Sequence, residues 1–595
     1  MDEADRRIKS DKLITVIAIA VTAFVFIPVF IKRDIIFALN DDVMIRDILN
    51  GSYTGEPSCM TVYMRVPLSF VLSLLYRIIP SVPWFGAFQC GCFIASFFLI
   101  LRRIFSITAS RYNGEDDSKS RTRFILRIVV YSVLCAVFFF CIFYPRFVLI
   151  HYTITAAVTG GAGLFLLLTA GNNSEKKSEK NSKGDKWHLL EWTDAAVMLI
   201  LCDQIRSQVF FMLLPFILVS IIFLFISGRK NVIRWSVTWA AVYAALLGIH
   251  TICYMQAPWR EYKNFNDART ELYDFALVWD TDDARSYYRQ TGVSDVEYPV
   301  LLNYDIALDE AADAELFRSM AAYPSGSALK TSSEKFKDTV WMIKHNIISK
   351  GTERSYALLL LSGYLLISVA IIIKKKYVFL VPTALSLILH FGLYGVLLWR
   401  GRFPERVMIS LYFIGYMIIA ALFACLLFYG KTAADEKIWC GIIILCAITC
   451  VELICIYKTS DVLRVLNRTY DRQLSVNSDC NMLYLYLASD VEKGACCLTD
   501  IYTCVDATGN ALTENCPERG GACIPEMFTV GGWVTGSPHM AKRLDHFGQD
   551  AKKMYVCREN TGLSPEEFAR FTGLYLTEIN RIETGYGTFV IYDGN

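Results

Sequence analysis

The sequence is short of charge. Only 19% of its 595 residues are Asp, Glu, Lys or Arg, against roughly 25% in an average soluble domain. Acids and bases nearly cancel, 57 against 59, so the charge does not point to nucleic acid. The glycine signatures of a phosphate-binding loop or a dinucleotide fold are missing, which argues against a nucleotide site. Paired C-x-x-C spacing is missing too, which argues against a zinc scaffold. A repeat that would mark an inverted-repeat transporter is not evident.

What is there is hydrophobic. Residues of apolar type make up 54% of the chain, and several runs reach the 18 or so residues needed to cross a hydrocarbon core of ~30 Å. The first, Leu13–Ile31, follows Arg6, Arg7, Lys9 and Lys12 and lacks a small-x-small cleavage site. It is expected to be a retained span with its N-terminus in the cytoplasm. Of 19 cysteines, eleven lie inside apolar runs, where they act as small hydrophobes. Cys59 sits in the first loop and seven lie between Cys480 and Cys557. An odd number there leaves one thiol over if disulfides form.

Positive charge orients the chain. Arg102, Arg103, Arg111, Lys119, Arg121 and Arg123 mark one cytoplasmic loop; Lys176, Lys177, Lys180, Lys183 and Lys186 mark the next. The run Val66–Ile79, broken by Pro67, Pro80 and Pro83, is too short to span and is expected to be an interfacial or re-entrant helix on the outer face. A turn is expected at Pro145-Arg146-Phe147, and a hairpin over 187–226 with its polar corner at Asp203–Gln208. The expected fold is a polytopic α-helical membrane protein of about eleven transmembrane helices, N-terminus in and C-terminus out. The membrane domain is residues 1–456, with a first outer loop at 33–83 and a large outer loop at 256–354. Residues 457–595 are expected to form a small extracytoplasmic α/β domain. Its helix is read as Glu566–Ile579, opened by Ser564 and Glu567 as a capping box, and Thr588–Tyr592 as a strand.

On this threading the ionisable groups near the membrane gather on the outer side: Arg146 with His151, Asp203 with Arg206, His250, His390, Glu452, and the run Arg400–Arg406. Each has a structural alternative: packing for the histidines, snorkelling for Glu452, interface anchoring for Arg146, and an ion pair capping the hairpin for Asp203 and Arg206. Five corners bringing charge to one face is the stronger signal. The first outer loop opens with Asn40-Asp41-Asp42. Adjacent carboxylates suit a general base or a metal ligand. One of them is expected to cap the helix Val43–Leu49.

This layout resembles the GT-C superfamily of polytopic glycosyltransferases, of the protein mannosyltransferase and aminoarabinose transferase types. The shared order is one span, an outer loop opening on Asp41-Asp42, the helix beginning Val66-Pro67-Leu68, and a span ending in Arg102-Arg103. That pattern is often Pro-Pro-Leu, so one proline is missing here. The polar corner Asp203–Gln208 and the late loop Arg402–Arg406 resemble the family's basic outer loops. The resemblance implies an integral plasma-membrane enzyme that uses a polyprenyl-phosphate sugar as donor and a glycan, lipid or protein as acceptor. Asp41 and Asp42 would be the catalytic acids, or the ligands if a divalent cation is used. Arg206, Arg402 and Arg406 would hold the donor phosphate, since guanidinium binds phosphate bidentately. Arg65, Arg146, His151, Asp203, His250, His390 and Glu452 would support them. Alternative readings are a polymerase or ligase of lipid-linked glycans, a transporter or flippase of envelope precursors, and a non-catalytic binding protein.

Overall fold

The computed structural model describes residues 3–52, 54–112, 118–171, 182–229, 231–309, 311–324, 331–348, 352–401, 403–428, 495–499, 511–512, 527–529, 531–540, 553–559, 563–573, 575–583 and 588–594. Among the described residues, nine helices are long and apolar enough to cross a membrane. The chain is a mostly helical polytopic protein. The expected last span, 438–456, lies outside the described residues.

The order begins with α1 (Glu3–Lys32), β1 (Ile36–Phe37), α2 (Asn40–Asn50), α3 (Val66–Ile78), α4 (Trp84–Tyr112), α5 (Ser118–Phe138), α6 (Tyr144–Val148), β2 (Leu149–Ile150), α7 (Tyr152–Thr169), α8 (Ser182–Ile205), α9 (Ser207–Ile226) and α10 (Asn231–Tyr254). The α3 helix has 13 residues, or ~20 Å at 1.5 Å per residue, too short to cross. Pro67 stands in its first turn, where a missing N–H costs nothing. Val66, Ser69, Leu72, Ser73 and Tyr76 are buried, while Phe70, Val71, Leu74 and Ile78 stay exposed. The α8 helix is not among the nine, because Glu191, Asp194 and Asp203 interrupt its apolar run.

The turn expected at Pro145–Phe147 falls later. Helix α5 runs on through a π-helical turn, Phe139–Phe143, into α6, and the chain reverses at Leu149–His151. The wide π turn opens the hydrogen-bond ladder just ahead of Pro145, which then occupies the tolerant first turn of α6.

Helix α7 is the centre of the bundle. All of its residues are buried, and it packs against α4, α8, α9 and the later α18 (Glu405–Phe428). Small residues permit this. A Cβ on Gly160 would lie 2.4 Å from Leu213 Cδ1, and one on Gly163 would lie 2.9 Å from the Leu199 backbone nitrogen. Packing of this kind replaces the hydrophobic effect between helices in lipid.

The described residues of the expected large outer loop form short helices: α11 (Ala257–Thr270), α12 (Asp282–Gln290), α13 (Glu297–Leu302), α14 (Ala314–Ala321) and α15 (Ser332–Ile348). Its own core includes Leu272, Tyr288, Leu301, Phe317 and Met320. Thr281 and Asp313 cap α12 and α14. Two spans, α16 (Thr352–Ile373) and α17 (Leu380–Trp399), lead to α18.

In the tail, β3 (Ala495–Thr499), β4 (Met527–Thr529), β5 (Lys553–Glu559), β6 (Leu576–Glu583) and β7 (Thr588–Gly594) form a mixed sheet of order β4-β3-β5-β7-β6. The capping box at Ser564 and Glu567 opens α19 (Pro565–Thr572). That helix is shorter than the expected Glu566–Ile579. Gly573 ends it in the left-handed conformation (φ 71°), and Leu576–Ile579 belong to β6.

Candidate active site

The acidic pair is positioned by two short strands. β1 and β2 pair in parallel, Ile36 with Leu149 and Phe37 with Ile150, and the Ala38 N–H donates to the Ile150 carbonyl at 2.9 Å. This brings the start of α2 to the start of α7. Neither aspartate caps α2. That helix begins at Asn40, and no side chain caps it. Asp42 instead serves α7: its Oδ1 accepts the Tyr152 N–H at 2.8 Å and the Gln89 side-chain amide at 3.1 Å. His151 completes the cap, its Nδ1 accepting the Thr153 N–H at 2.9 Å. A buried helix must find partners for its first N–H groups.

The two acids therefore differ in kind. Asp42 is fully buried, whereas Asp41 is half-buried. Burial pushes the Asp42 carboxyl well above the usual range, against the hydrogen bonds from Tyr152 and Gln89 and the charge of Arg406. Burial holds His151 well below the usual imidazole range, and Arg406, Arg206 and Arg146 push the same way. His151 Nε2 lies 3.8 Å from Asp42 Oδ2, and neither atom has a hydrogen-bond partner among the described residues. Since Nδ1 accepts, the neutral ring carries its proton on Nε2, facing the carboxyl. A carboxyl with a raised folded pKa adds stability at low pH that is lost as pH rises through that pKa. The thermal midpoint of the wild type, followed upward from pH 4 in detergent, is expected to fall relative to that of Asp42→Asn; parallel curves would remove this linkage.

Arg206 stands at the break between α8 and α9, in extended conformation. Its Nη1 donates to the Tyr152 hydroxyl at 2.5 Å. Its guanidinium lies over the rings of Tyr63 at 4.7 Å and Tyr152 at 4.9 Å. It does not pair with Asp203, as an ion pair capping the hairpin would require. Asp203 is held by Arg65 through two contacts of 3.2 and 3.3 Å. Arg146 donates to Glu405 at 2.5 Å. Arg406, in the first turn of α18, is near enough to Asp42 and His151 to act on the charge of both. Arg206 and Arg406 have no carboxylate partner among the described residues.

Other expected site residues fall elsewhere. His250 accepts the Val66 N–H on Nδ1 at 3.3 Å, fixing α3 to α10. His390 lies inside α17 against Tyr412 of α18, with neither ring nitrogen partnered among the described residues. Arg402 and Glu452 lie outside the described residues. Among the described residues, no group of three or more His, Cys, Asp or Glu is placed to hold a metal ion.

Two contributors escaped the sequence reading. The Trp533 indole N–H donates to Asp41 Oδ1 at 3.1 Å, its ring packs on Tyr63 at 4.7 Å, and its carbonyl accepts the Tyr262 hydroxyl at 2.5 Å. Arg269, buried in α11, donates to the Tyr304 hydroxyl and acts on the charge of Tyr63. The one local signal for Trp533 was its glycines. A Cβ on Gly531 would lie 2.4 Å from the Tyr304 carbonyl oxygen, and Gly532 has φ 101°. Only glycine fits such an approach.

The site is thus Asp41 and Arg206 set among Tyr63, Tyr152 and Trp533, with Arg406 near Asp42 and His151. No family model matches the chain, and no curated protein matches it. Among solved structures it is similar to the crystal structure of ArnT from Cupriavidus metallidurans bound to undecaprenyl phosphate. The two share 8% identity, over 98% of this chain and 97% of that one, with a TM-score of 0.37. A likeness at that score says nothing about the activity of this chain.

Proposed function

We propose that the protein is a membrane glycosyltransferase that moves a sugar from a polyprenyl-phosphate donor to an acceptor hydroxyl on the extracytoplasmic face. One observation carries the reading: a half-buried carboxylate, Asp41, shares an aromatic-walled site with Arg206, while Arg406 acts on the charge of Asp42 next to it, and neither arginine has a carboxylate partner among the described residues. An anion therefore fits beside the arginines, and a proton acceptor stands next to it.

Asp41 takes the proton of the acceptor hydroxyl as the acceptor oxygen bonds to the anomeric carbon. The bond from that carbon to the phosphate oxygen breaks, and the polyprenyl phosphate leaves with the electron pair. Arg206 and Arg406 stabilise the charge it gains, aided by the low dielectric of a buried site. Asp42 does not touch substrate in this scheme. It holds the N-terminus of α7, and with it Tyr152 and the arginine lying on it. We assign Asp41 the role of base over that of metal ligand, because the three arginines that act on His151, the neighbour of Asp42, disfavour a cation there.

Undecaprenyl phosphate in detergent micelles is the probe that tests the anion site. A hydrogen bond to a charged group contributes about 1.5–3 kcal/mol, so Arg206→Ala and Arg406→Ala are each expected to weaken binding by roughly 10- to 150-fold. Unchanged affinity in both variants would remove the site. Arg206→Lys keeps the charge but not the fork, and is expected to fall in between.

A further inference from the structure

The chain next to Tyr63 runs along the last turn of α10. The Val62 N–H donates to the Tyr254 hydroxyl at 2.9 Å, and the Val66 N–H donates to His250 Nδ1 at 3.3 Å. Residues 66 to 62 therefore follow the helix upward as it passes from 250 to 254. The chain turns at Val62, where the Tyr63 N–H donates to the Thr61 carbonyl at 2.8 Å, and Cys59, three residues before Val62, is within electrostatic reach of Tyr254. Positions 250, 253 and 254 share one helical face by their spacing of three and four. Cys253 thus sits on the face that already holds the loop.

Both thiols are free and half-buried. Burial pushes the Cys59 thiol up, and the next largest influence on it is the Cys253 sulfur, ahead of Arg77. The two sulfurs are within electrostatic reach of each other. The cysteines of α4, α7's neighbour α8 and α18 are different: Cys90, Cys92, Cys202 and Cys425 are fully buried among apolar side chains.

We propose that Cys59 and Cys253 form a disulfide that ties the first interhelical loop to α10. The proposal rests on the extracytoplasmic placement of the site given above, since disulfides persist in oxidising compartments. Each thiol loses one proton and one electron as the S–S bond forms. The electrons reduce the disulfide of a thiol oxidoreductase of that compartment to its dithiol, by exchange through a mixed disulfide. Cys59 is on a loop, so it can adjust to the Cα separation of ~4.4–6.8 Å that a disulfide needs.

The bond would act on the site through the three residues between Cys59 and Tyr63. Val62 is held at φ 67°, an unfavourable conformation for a β-branched side chain. It precedes Tyr63, which packs on Tyr152, Trp533 and the Arg206 guanidinium. A covalent tie at Cys59 fixes the approach to that residue, so the disulfide sets the position of the aromatic wall against Asp41.

Full-length protein is extracted from its own membranes with N-ethylmaleimide present to trap thiols, then digested without reductant and read by mass spectrometry. A peptide joining Cys59 to Cys253, lost on reduction, is the expected result. In Cys253→Ser, Cys59 should become labelled by maleimide. Alkylation of both residues in the wild type, or a bridge from Cys59 to one of the seven tail cysteines, overturns the pairing. Two further arms locate the cause. A membrane-impermeant maleimide on intact cells should label Cys59 in Cys253→Ser; labelling only after permeabilisation means the placement of the loop is wrong. Diamide added to isolated membranes should then still join the pair; no cross-link with that oxidant means the juxtaposition is wrong, whatever the compartment.

Discussion

Replacing Asp41 by Asn is expected to lower sugar transfer by about 10²- to 10⁴-fold, the usual contribution of a positioned general base. That loss corresponds to about 3–5 kcal/mol of the activation barrier. The change is nearly isosteric. An asparagine can still accept the Trp533 indole hydrogen through its carbonyl oxygen, so the tail segment stays docked and the fold is kept. What is lost is the basic oxygen. The assay needs no knowledge of the sugar. Membranes from cells fed radiolabelled sugar carry label in the organic-soluble polyprenyl phosphate fraction, and the rate at which label leaves it for acceptor is the readout. A rate in Asp41→Asn within tenfold of wild type, at equal protein level and equal thermal midpoint, would sink the assignment. Asp42→Asn serves as the contrast. It sits at the N-terminus of α7 and not in the substrate path, so its effect should track folding stability.

The parts legible in the sequence were those governed by local composition. Apolar runs marked helices long and apolar enough to cross, the thirteen-residue length of α3 marked one too short to do so, and Ser564 with Glu567 marked the start of α19. Corners rich in arginine and aspartate include Asp42, Arg206 and Arg406, all of which lie near His151. Partners were not legible. Asp203 and Arg206 are three residues apart and of opposite sign, yet Asp203 pairs with Arg65 and Arg206 with two tyrosine rings. The reason is geometric: the helix breaks at Arg206, and the two side chains leave it in different directions. Asp42 looked like a cap for its own helix and caps another 110 residues away. Trp533 reaches Asp41 across 492 residues, a separation at which no periodicity carries information. Tyr575 and Ile579 kept helical spacing beyond Gly573 and so lengthened α19 in the sequence reading, although the left-handed glycine had already ended it.

The opposite end of α7 gives the second large effect. An 18-residue helix is ~27 Å long, and one buried along its whole length cannot send its last carbonyls to water. They must be met by protein groups. Arg103 meets the last of the helix's own carbonyls and braces its neighbours. Its Nε donates to the Thr169 hydroxyl at 3.2 Å, one Nη donates to the Thr169 carbonyl and the other to Glu191. Glu191 in turn accepts the Gly171 N–H at 2.9 Å. Arg229 adds a bond to the Ala170 carbonyl at 2.5 Å, and the Cys425 thiol donates to Leu168 at 3.2 Å. Two cations at a helix C-terminus also offset its dipole. The sequence reading took Arg103 as a topological charge; its side chain is buried and holds the central helix. Arg103→Ala removes a partner from a half-buried carboxylate, Glu191, and leaves the buried Thr169 carbonyl unmet, a change that costs about 1–3 kcal/mol. The expected result is a large drop in the temperature at which the detergent-solubilised protein aggregates, with undecaprenyl phosphate affinity unchanged in the fraction that stays folded. Arg103→Lys keeps the charge without the fork and should recover only part of the loss. A midpoint for Arg103→Ala equal to that of wild type would show that α7 does not depend on this cap.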